Sequence, residues 1–226
     1  MELFKNTLYI NLEHRKDRLE HVNKELLKMN ISGERFNAIK TKLGAIGCTL
    51  SHIKCLEIAK ERDYEYVFIC EDDICFLRPD MLKDSLQKFY DNKSIAWDVL
   101  LIGGNNAPPY AKPHEYCIKV SNCQTTTGYV VKRHYYDTLI TNFRESATNL
   151  MRTPNPKLYA LDMYWKSLQR QHNWYMLFPF TVVQIEGYSD IENREVDYRG
   201  LMLDVDKPWL FQGLQGTYGS PGRPLP

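Results

Sequence analysis

Three consecutive carboxylates, Glu71-Asp72-Asp73, follow directly on the apolar run Tyr66-Val67-Phe68-Ile69-Cys70. Negative charge at that density repels itself unless something shares it. Oxygen-only donors suit a hard divalent cation such as Mn2+ or Mg2+, which keeps positions open for phosphate oxygens. In an extended chain Glu71 and Asp73 point to one side and Asp72 to the other, so Glu71 and Asp73 are the candidate metal ligands, with Asp73 in direct contact. The plainer reading of the triplet is an acidic surface turn ahead of Arg78-Pro79, and on its own the triplet favours that reading.

Other residues offer complementary chemistry. Asn11, Leu12, Arg15 and Arg18 follow the first apolar run, where an amide and two guanidinium groups can meet a base and a diphosphate. Equally, Arg15 to Arg18 can be the solvated first turn of a helix, with Asp17 placed for its dipole. Thr41-Lys42-Leu43-Gly44 leads into a helix whose first amides can face an anion, and Ser51 and His52 lie one to two turns further on. A lone helical histidine is commonly a packed residue with one satisfied nitrogen. Asp162 begins an aromatic-rich segment (Tyr159, Tyr164, Trp165) and can serve either as a general base or as a helix cap. Asp190, in the polar stretch Gln184 to Glu192, can complete a ligand site or bond backbone amides in a turn. Thr125-Thr126-Thr127-Gly128 offers hydroxyls, but threonines are ordinary strand residues.

Those residues need a scaffold, and the hydrophobic pattern supplies one. Thr7 to Leu12 reads as a strand, and Leu19, Val22, Leu26 and Met29 follow at helical spacing. Arg35 to Ile39 is a second strand, and Ile46, Leu50, Ile53 and Leu56 mark a second helix. Tyr66 to Cys70 and Asp98 to Ile102 lack alternation, as strands covered on both faces do, and the second is expected to stop at Gly103-Gly104. A helix from Arg78-Pro79-Asp80 to about Tyr90 separates them. The pattern predicts an α/β fold with a mostly parallel central sheet flanked by helices, and the acidic triple lies at its carboxyl edge, where open sheets of this class bind ligands.

Beyond Ile102 the sequence predicts a loop over Asn105 to Lys112, strands at Tyr116 to Val120 and Thr125 to Val131, and a helix after Arg133. A loop over Thr148 to Lys157, a helix from Leu161 to Gln171 and a strand near Trp174 to Leu177 complete the expectation. Residues 1–198 are read as one domain, and 199–226 as an irregular, partly flexible tail.

The chain has 226 residues with 29 Lys+Arg against 28 Asp+Glu. So even a balance gives no field for a nucleic acid polymer or an anionic membrane. The amino terminus meets charge before any apolar stretch develops, and no run reaches the length of a membrane helix, so a cytoplasmic setting is expected. Cys48, Cys55, Cys70, Cys75, Cys117 and Cys123 contain no C-x-x-C pair. They read as reduced thiols rather than a zinc site or a disulfide framework.

Taken in order, several segments resemble glycosyltransferase family 25, the group of lipopolysaccharide glycosyltransferases and collagen galactosyltransferase domains. They are Tyr9-Ile10-Asn11-Leu12 with Arg15, Asp17 and Arg18, then Arg35 to Ile39, Gly47-Cys48-Thr49-Leu50-Ser51-His52, and Ile69 to Asp73. Trp97 to Leu101, Thr127 to Val131, Leu161-Asp162 and Ser189-Asp190-Ile191-Glu192 continue it, so the resemblance spans roughly residues 7 to 198. Cys70 and Ile74 stand beside the triple where leucine and valine are more usual.

The resemblance implies a GT-A-like fold and a UDP-linked sugar donor used with Mn2+ or Mg2+. It also implies transfer of a hexose or N-acetylhexosamine, with inversion, to a hydroxyl of a saccharide or protein acceptor. On it, Glu71 and Asp73 hold the metal, and Asp162 is the base. Asn11, Leu12, Arg15, Arg18, Ser51, His52, Asp72 and Asp190 meet the donor, Asp72 at its ribose or sugar. A non-catalytic nucleotide-sugar or glycan-binding module of the same fold is the alternative. A nucleotidyltransferase is a third reading, against which stands the lack of a Gly-rich, Lys-bearing loop after the first strand.

Overall fold

The computed structural model describes residues 1–192 and 194–210. After a 3-10 turn at Glu2–Phe4 come β1 (Thr7–Asn11), α1 (Lys16–Lys28), β2 (Gly33–Asn37), α2 (Gly44–Glu61), β3 (Tyr66–Glu71), β4 (Ile74–Phe76), α3 (Pro79–Asp91) and β5 (Val99–Asn106). The chain continues through β6 (Ala111–His114), β7 (Cys117–Lys119), β8 (Cys123–Lys132), α4 (Tyr136–Arg152) and the short helices α5 (Pro156–Tyr159), α6 (Leu161–Tyr164) and α7 (Lys166–Gln171). It ends with β9 (Trp174–Leu177), β10 (Val182–Gln184), β11 (Gly187–Ser189), β12 (Arg194–Val196) and α8 (Arg199–Leu203).

Eight strands form one sheet in the order β2-β1-β3-β8-β5-β9-β7-β6. Strands β1, β2, β3, β5, β6 and β9 run in one sense, and β7 and β8 run against them. This is the α/β layer with a mostly parallel sheet that the sequence predicts. The absence of alternation in the central strands has its cause here. Val67 and Ile69 of β3 enter one core with Ile53 and Leu56 of α2 and Phe143 of α4. Phe68 and Cys70 enter the other with Val22 and Leu26 of α1 and Leu86 and Phe89 of α3. Each face is thus covered by helices, and the carboxyl ends of β1 and β3 emerge side by side.

Several elements differ from expectation. Strand β5 does not stop at Gly103-Gly104 but continues to Asn106, with irregular register against β8 on both sides of Gly103. The glycines are needed by contact rather than by a turn, since a Cβ on Gly103 would stand 2.9 Å from Val182 Cγ1 and one on Gly104 2.7 Å from Cys123 Sγ. Helix α4 runs on through Arg152, into the expected loop, and the single helix expected over Leu161 to Gln171 is broken at Trp165. Strands β4 and β10 pair antiparallel as a separate two-stranded sheet, and β11 with β12 as another.

The segment after residue 198 carries α8, buries Met202 and places the Lys207 ammonium on the Asn106 carbonyl. Its packing continues the domain beyond the expected boundary. Residues 211–226, where a flexible tail was expected, lie outside the described residues. Among the described residues no helix is long and apolar enough to cross a membrane. All six cysteines are free, with Cys48 and Cys75 half-buried and the others buried.

Candidate active site

At the carboxyl edge the chain leaves β3 at Glu71, turns at Asp72-Asp73 and re-enters a strand at Ile74. The turn replaces the extended geometry assumed for the triple, yet the three side chains still divide. Asp72 Oδ2 accepts from Asn11 Nδ2 at 2.7 Å. Glu71 Oε2 and both Asp73 oxygens face Gln184 Nε2 at 3.5 and 3.4 Å. Gln184 closes β10, and the β10–β4 pairing opposes Gln184 to Ile74, which brings this neutral donor between the two carboxylates.

Among the described residues, one arginine serves the triple directly. Arg18, buried on the first turn of α1, places Nη1 3.0 Å from Asp73 Oδ2 and 3.9 Å from Asp72 Oδ1, and donates through Nη2 to the Tyr188 carbonyl. That is not enough to hold all three carboxyls at their ordinary acidity. Burial, with the Glu71 charge behind it, pushes Asp73 up to about 7. Asp72 is pushed up to about 6 by burial, against the opposing pull of Asn11 and Arg18. For Glu71 burial also acts upward, but the His52 and Thr126 hydrogen bonds and the nearby Arg18 charge outweigh it and bring the group below its usual value. Two acids held near neutrality beside a third that stays ionised are a donor set with capacity to spare for a hard divalent cation, whose charge would reverse those upward shifts. Glu71, Asp72 and Asp73 therefore fit Mn2+ or Mg2+ in chemistry, provided Arg18 and Gln184 yield part of their contact.

Asn11 ends β1 and is nearly fully buried. Its Nδ2 also donates to the Arg15 carbonyl, and its Oδ1 accepts from Arg35 Nε at 2.9 Å, so Arg35 orients the amide toward Asp72. Leu12 offers only its backbone, whose carbonyl accepts from the Arg15 amide. Arg15 clamps Asp190 at 2.6 Å and the Tyr188 carbonyl at 3.2 Å, while its other edge bonds Asp17. Asp190 is thus joined to Arg15 and to His14, not to the acidic triple. The Asp190-Ile191 backbone lies against Gly44, where a Cβ would come within 3.0 Å of Ile191 Cα, so this segment covers the first turn of α2.

Ser51 and His52 part company. The Ser51 hydroxyl donates to the Gly47 carbonyl and accepts from the Ile39 amide at 2.8 Å, which pins the segment after β2 to α2 and leaves the fully buried side chain no contact with the triple. His52, equally buried, joins the site: Nε2 lies 3.2 Å from Glu71 Oε1 and Nδ1 2.8 Å from the Tyr129 hydroxyl. Thr126 donates to the same Glu71 oxygen, and Cys48 Sγ lies 3.8 Å from it. The cysteines read as reduced thiols outside any zinc site, yet Cys48 and His52, four apart on α2, bring a thiol and an imidazole to one carboxylate. That spacing was visible in the sequence. Gln184 and Arg35 were not singled out, because nothing in their local sequence marks them as partners of the triple and of Asn11.

Asp162, on the first turn of α6, accepts from the Thr125 amide at 2.9 Å. Thr125 has φ +70°, a conformation that a β-branched residue adopts only under constraint, so Asp162 holds a strained bend at the start of β8. Burial raises the Asp162 carboxyl above its usual range, with the Glu71 charge adding to it.

No curated protein matches the chain. Among solved structures, the chain is similar to a glycosyltransferase involved in glycosylation of the major capsid of PBCV-1, at 8% identity and a TM-score of 0.42 over 77% of this chain and 93% of that one. It is also similar to mannose-1-phosphate geranyltransferase from Thermus thermophilus, at 8% identity and a TM-score of 0.38 over 76% and 73%. A nucleoside-diphosphate-sugar pyrophosphorylase from Vibrio cholerae aligns at 16% identity and a TM-score of 0.36 over 80% and 77%. The sequence profile of glycosyltransferase family 25 (LPS biosynthesis protein) matches residues 41–154, just over half of the 226, a span that holds α2, the acidic triple and β8. With that match the chain belongs to glycosyltransferase family 25, and its role is glycosyl transfer.

Proposed function

We propose that the chain moves a hexose or N-acetylhexosamine from a UDP-sugar to a hydroxyl of a saccharide or protein acceptor, with inversion. The observation that carries this reading is the convergence of Glu71, Asp72 and Asp73 with Asn11 and Arg18 at the ends of β1 and β3. Glu71 and Asp73 would hold Mn2+ or Mg2+, which neutralises a diphosphate leaving group when bound. A cytoplasmic setting accords with six free thiols.

The chain's own residues supply the rest. Asn11 and the adjoining Leu12 backbone form an amide-lined edge for the uracil, and Asp72 is the acceptor for a ribose or sugar hydroxyl. Arg15 and Arg18 stand on one side of the triple, where fork-shaped guanidinium groups suit diphosphate oxygens. Asp190 holds Arg15 in that orientation. His52 acts through Glu71, which it orients from within the core. Asp162 takes the acceptor proton, and its burial makes it a stronger base than an exposed carboxylate.

Calorimetric titration of Mn2+ and a panel of nucleotide-sugars, with the released nucleotide identified, tests the proposal. We expect metal-assisted binding of a UDP-sugar and release of UDP, not pyrophosphate, on transfer. If no nucleotide-sugar bound with or without metal, and Glu71→Ala and Asp73→Ala both left transfer intact, the reading would fail. Binding without turnover across many acceptors would leave only a nucleotide-sugar-binding module.

A further inference from the structure

Glu71 uses its two oxygens differently. Oε2 faces Gln184 on the side where Asp73 lies, whereas Oε1 faces Cys48, His52 and Thr126. On that second side Cys48 and His52 stand one turn apart on the same face of α2, next to the end of β3. One ligand atom each of Cys48, His52 and Glu71 lies within 4.8 Å of the other two. Sγ is 3.8 Å and Nε2 3.2 Å from Oε1. In a tetrahedral zinc site, with Zn–S about 2.3 Å and Zn–N and Zn–O about 2.0 Å, sulfur and oxygen ligands stand about 3.5 Å apart and nitrogen and oxygen about 3.3 Å. Two edges of a ligand triangle are thus already near tetrahedral length.

The imidazole is also prepared for ligation. A zinc-bound histidine ordinarily donates its other ring N–H to a fixed acceptor, which sets the tautomer. His52 Nδ1 already faces the Tyr129 hydroxyl at 2.8 Å, and a hydroxyl can donate or accept. Tyr129 therefore accommodates both the metal-free arrangement, with the Nε2 proton toward Glu71, and the ligated one, with the proton on Nδ1. The ring is fixed further by packing against Tyr129 and Phe143. Cys48 is half-buried, less enclosed than His52.

We propose that Cys48 Sγ, His52 Nε2 and Glu71 Oε1 form a site for a thiophilic divalent cation of the Zn2+ class, on the opposite side of Glu71 from the oxygen-only set. Thiolate and imidazole select a borderline-soft ion, whereas Glu71 and Asp73 alone select a hard one. Each cation bound displaces the Cys48 thiol proton to solvent, and the fourth position stays open to water.

Cobalt titration tests the site, with Co2+ as the visible stand-in for Zn2+. The intact chain is expected to develop a near-ultraviolet thiolate-to-cobalt charge-transfer band with intense tetrahedral visible absorption. Zn2+ should bleach both signals and Mg2+ should leave them. Cys48→Ser should abolish the band, and Asp73→Asn should keep it. In the unmodified protein, Zn2+ at about ten times its dissociation constant should slow alkylation of Cys48 about ten-fold by occupancy. Alkylation of half-buried Cys75, followed in the same digest, should stay unchanged. A band that persists in Cys48→Ser, no band at all, or unprotected Cys48 would overturn the proposal. None of these readouts needs a sugar donor, so the outcome is separate from that of the transfer mechanism.

Discussion

Asp73 illustrates how a single carboxyl can oppose the stability of the fold that holds it. Its folded-state value of about 7 lies above the unfolded value of 3.8, with burial the first cause and Glu71 the second. Between those values the folded chain keeps a proton that the unfolded chain has lost, so stability falls as pH rises through the window and the penalty is complete above it. Asp73→Asn removes the ionising group while keeping a polar partner for Arg18 and Gln184. Urea denaturation of metal-free protein should show the variant more stable than the parent at about pH 8, with the gain shrinking toward about pH 4. An equal gain at both pH values would show that the charge is not its source. Asp162 separates two roles in a comparable way. Asp162→Asn keeps an oxygen for the Thr125 amide but cannot take a proton, so turnover should drop by about 10²- to 10⁴-fold with the melting temperature held. Asp162→Ala also leaves the Thr125 amide without its acceptor, and should in addition cost about 1–3 kcal/mol of stability.

Helix α2 carries the positioning of the site at the scale of an element. Its register is set by close approach, because a Cβ on Gly47 would stand 2.2 Å from the Ile39 carbonyl oxygen, and by Ser51, which bonds the Ile39 amide one turn later. Ser51→Ala leaves that amide without its partner and should cost about 1–3 kcal/mol in denaturant titrations. Affinity for a nucleotide-sugar should stay within about two-fold, since the hydroxyl faces the segment after β2 and not the triple. A large loss of affinity with unchanged stability would return Ser51 to the donor site. The residue was legible as part of a motif, but its role was not, because a hydroxyl satisfied by backbone and one that meets a ligand look the same in a sequence. The helices and strands of the first half were legible for a stated reason: doubly buried strands are continuously apolar, and helices repeat near every fourth residue. Strand β10 was not, since three residues are too few to show a period and its partner β4 lies over a hundred residues earlier. The position of Gln184 follows from that pairing. The strand end at Gly103-Gly104 was misplaced because glycine marks both turns and close packing, and here packing decides.

At the scale of the molecule, the ends of β1, β3 and β10 and the starts of α1, β8 and β11 meet along one sheet edge. Their side chains bring three neighbouring carboxylates together beside Arg18, a mutual repulsion that the hydrophobic layers must hold in place. A cation bound there belongs to the folded state only, because the ligating set is assembled from separated elements, so binding should stabilise the whole domain. At about 100 times its dissociation constant a ligand contributes about 2.7 kcal/mol. A domain of this length gains roughly 2–4 °C in melting temperature per kcal/mol, so Mn2+ added to chelator-treated protein should raise the transition by on the order of 5–10 °C. Mg2+ should shift it in the same direction. The double substitution Glu71→Gln with Asp73→Asn should remove the shift, and Asp162→Asn, whose side chain is engaged with Thr125, should retain it. Differential scanning calorimetry over a series of Mn2+ concentrations decides the matter. A shift that survives the double substitution would move the hard cation away from the acidic triple, and the assembly of these strand ends would then need another purpose.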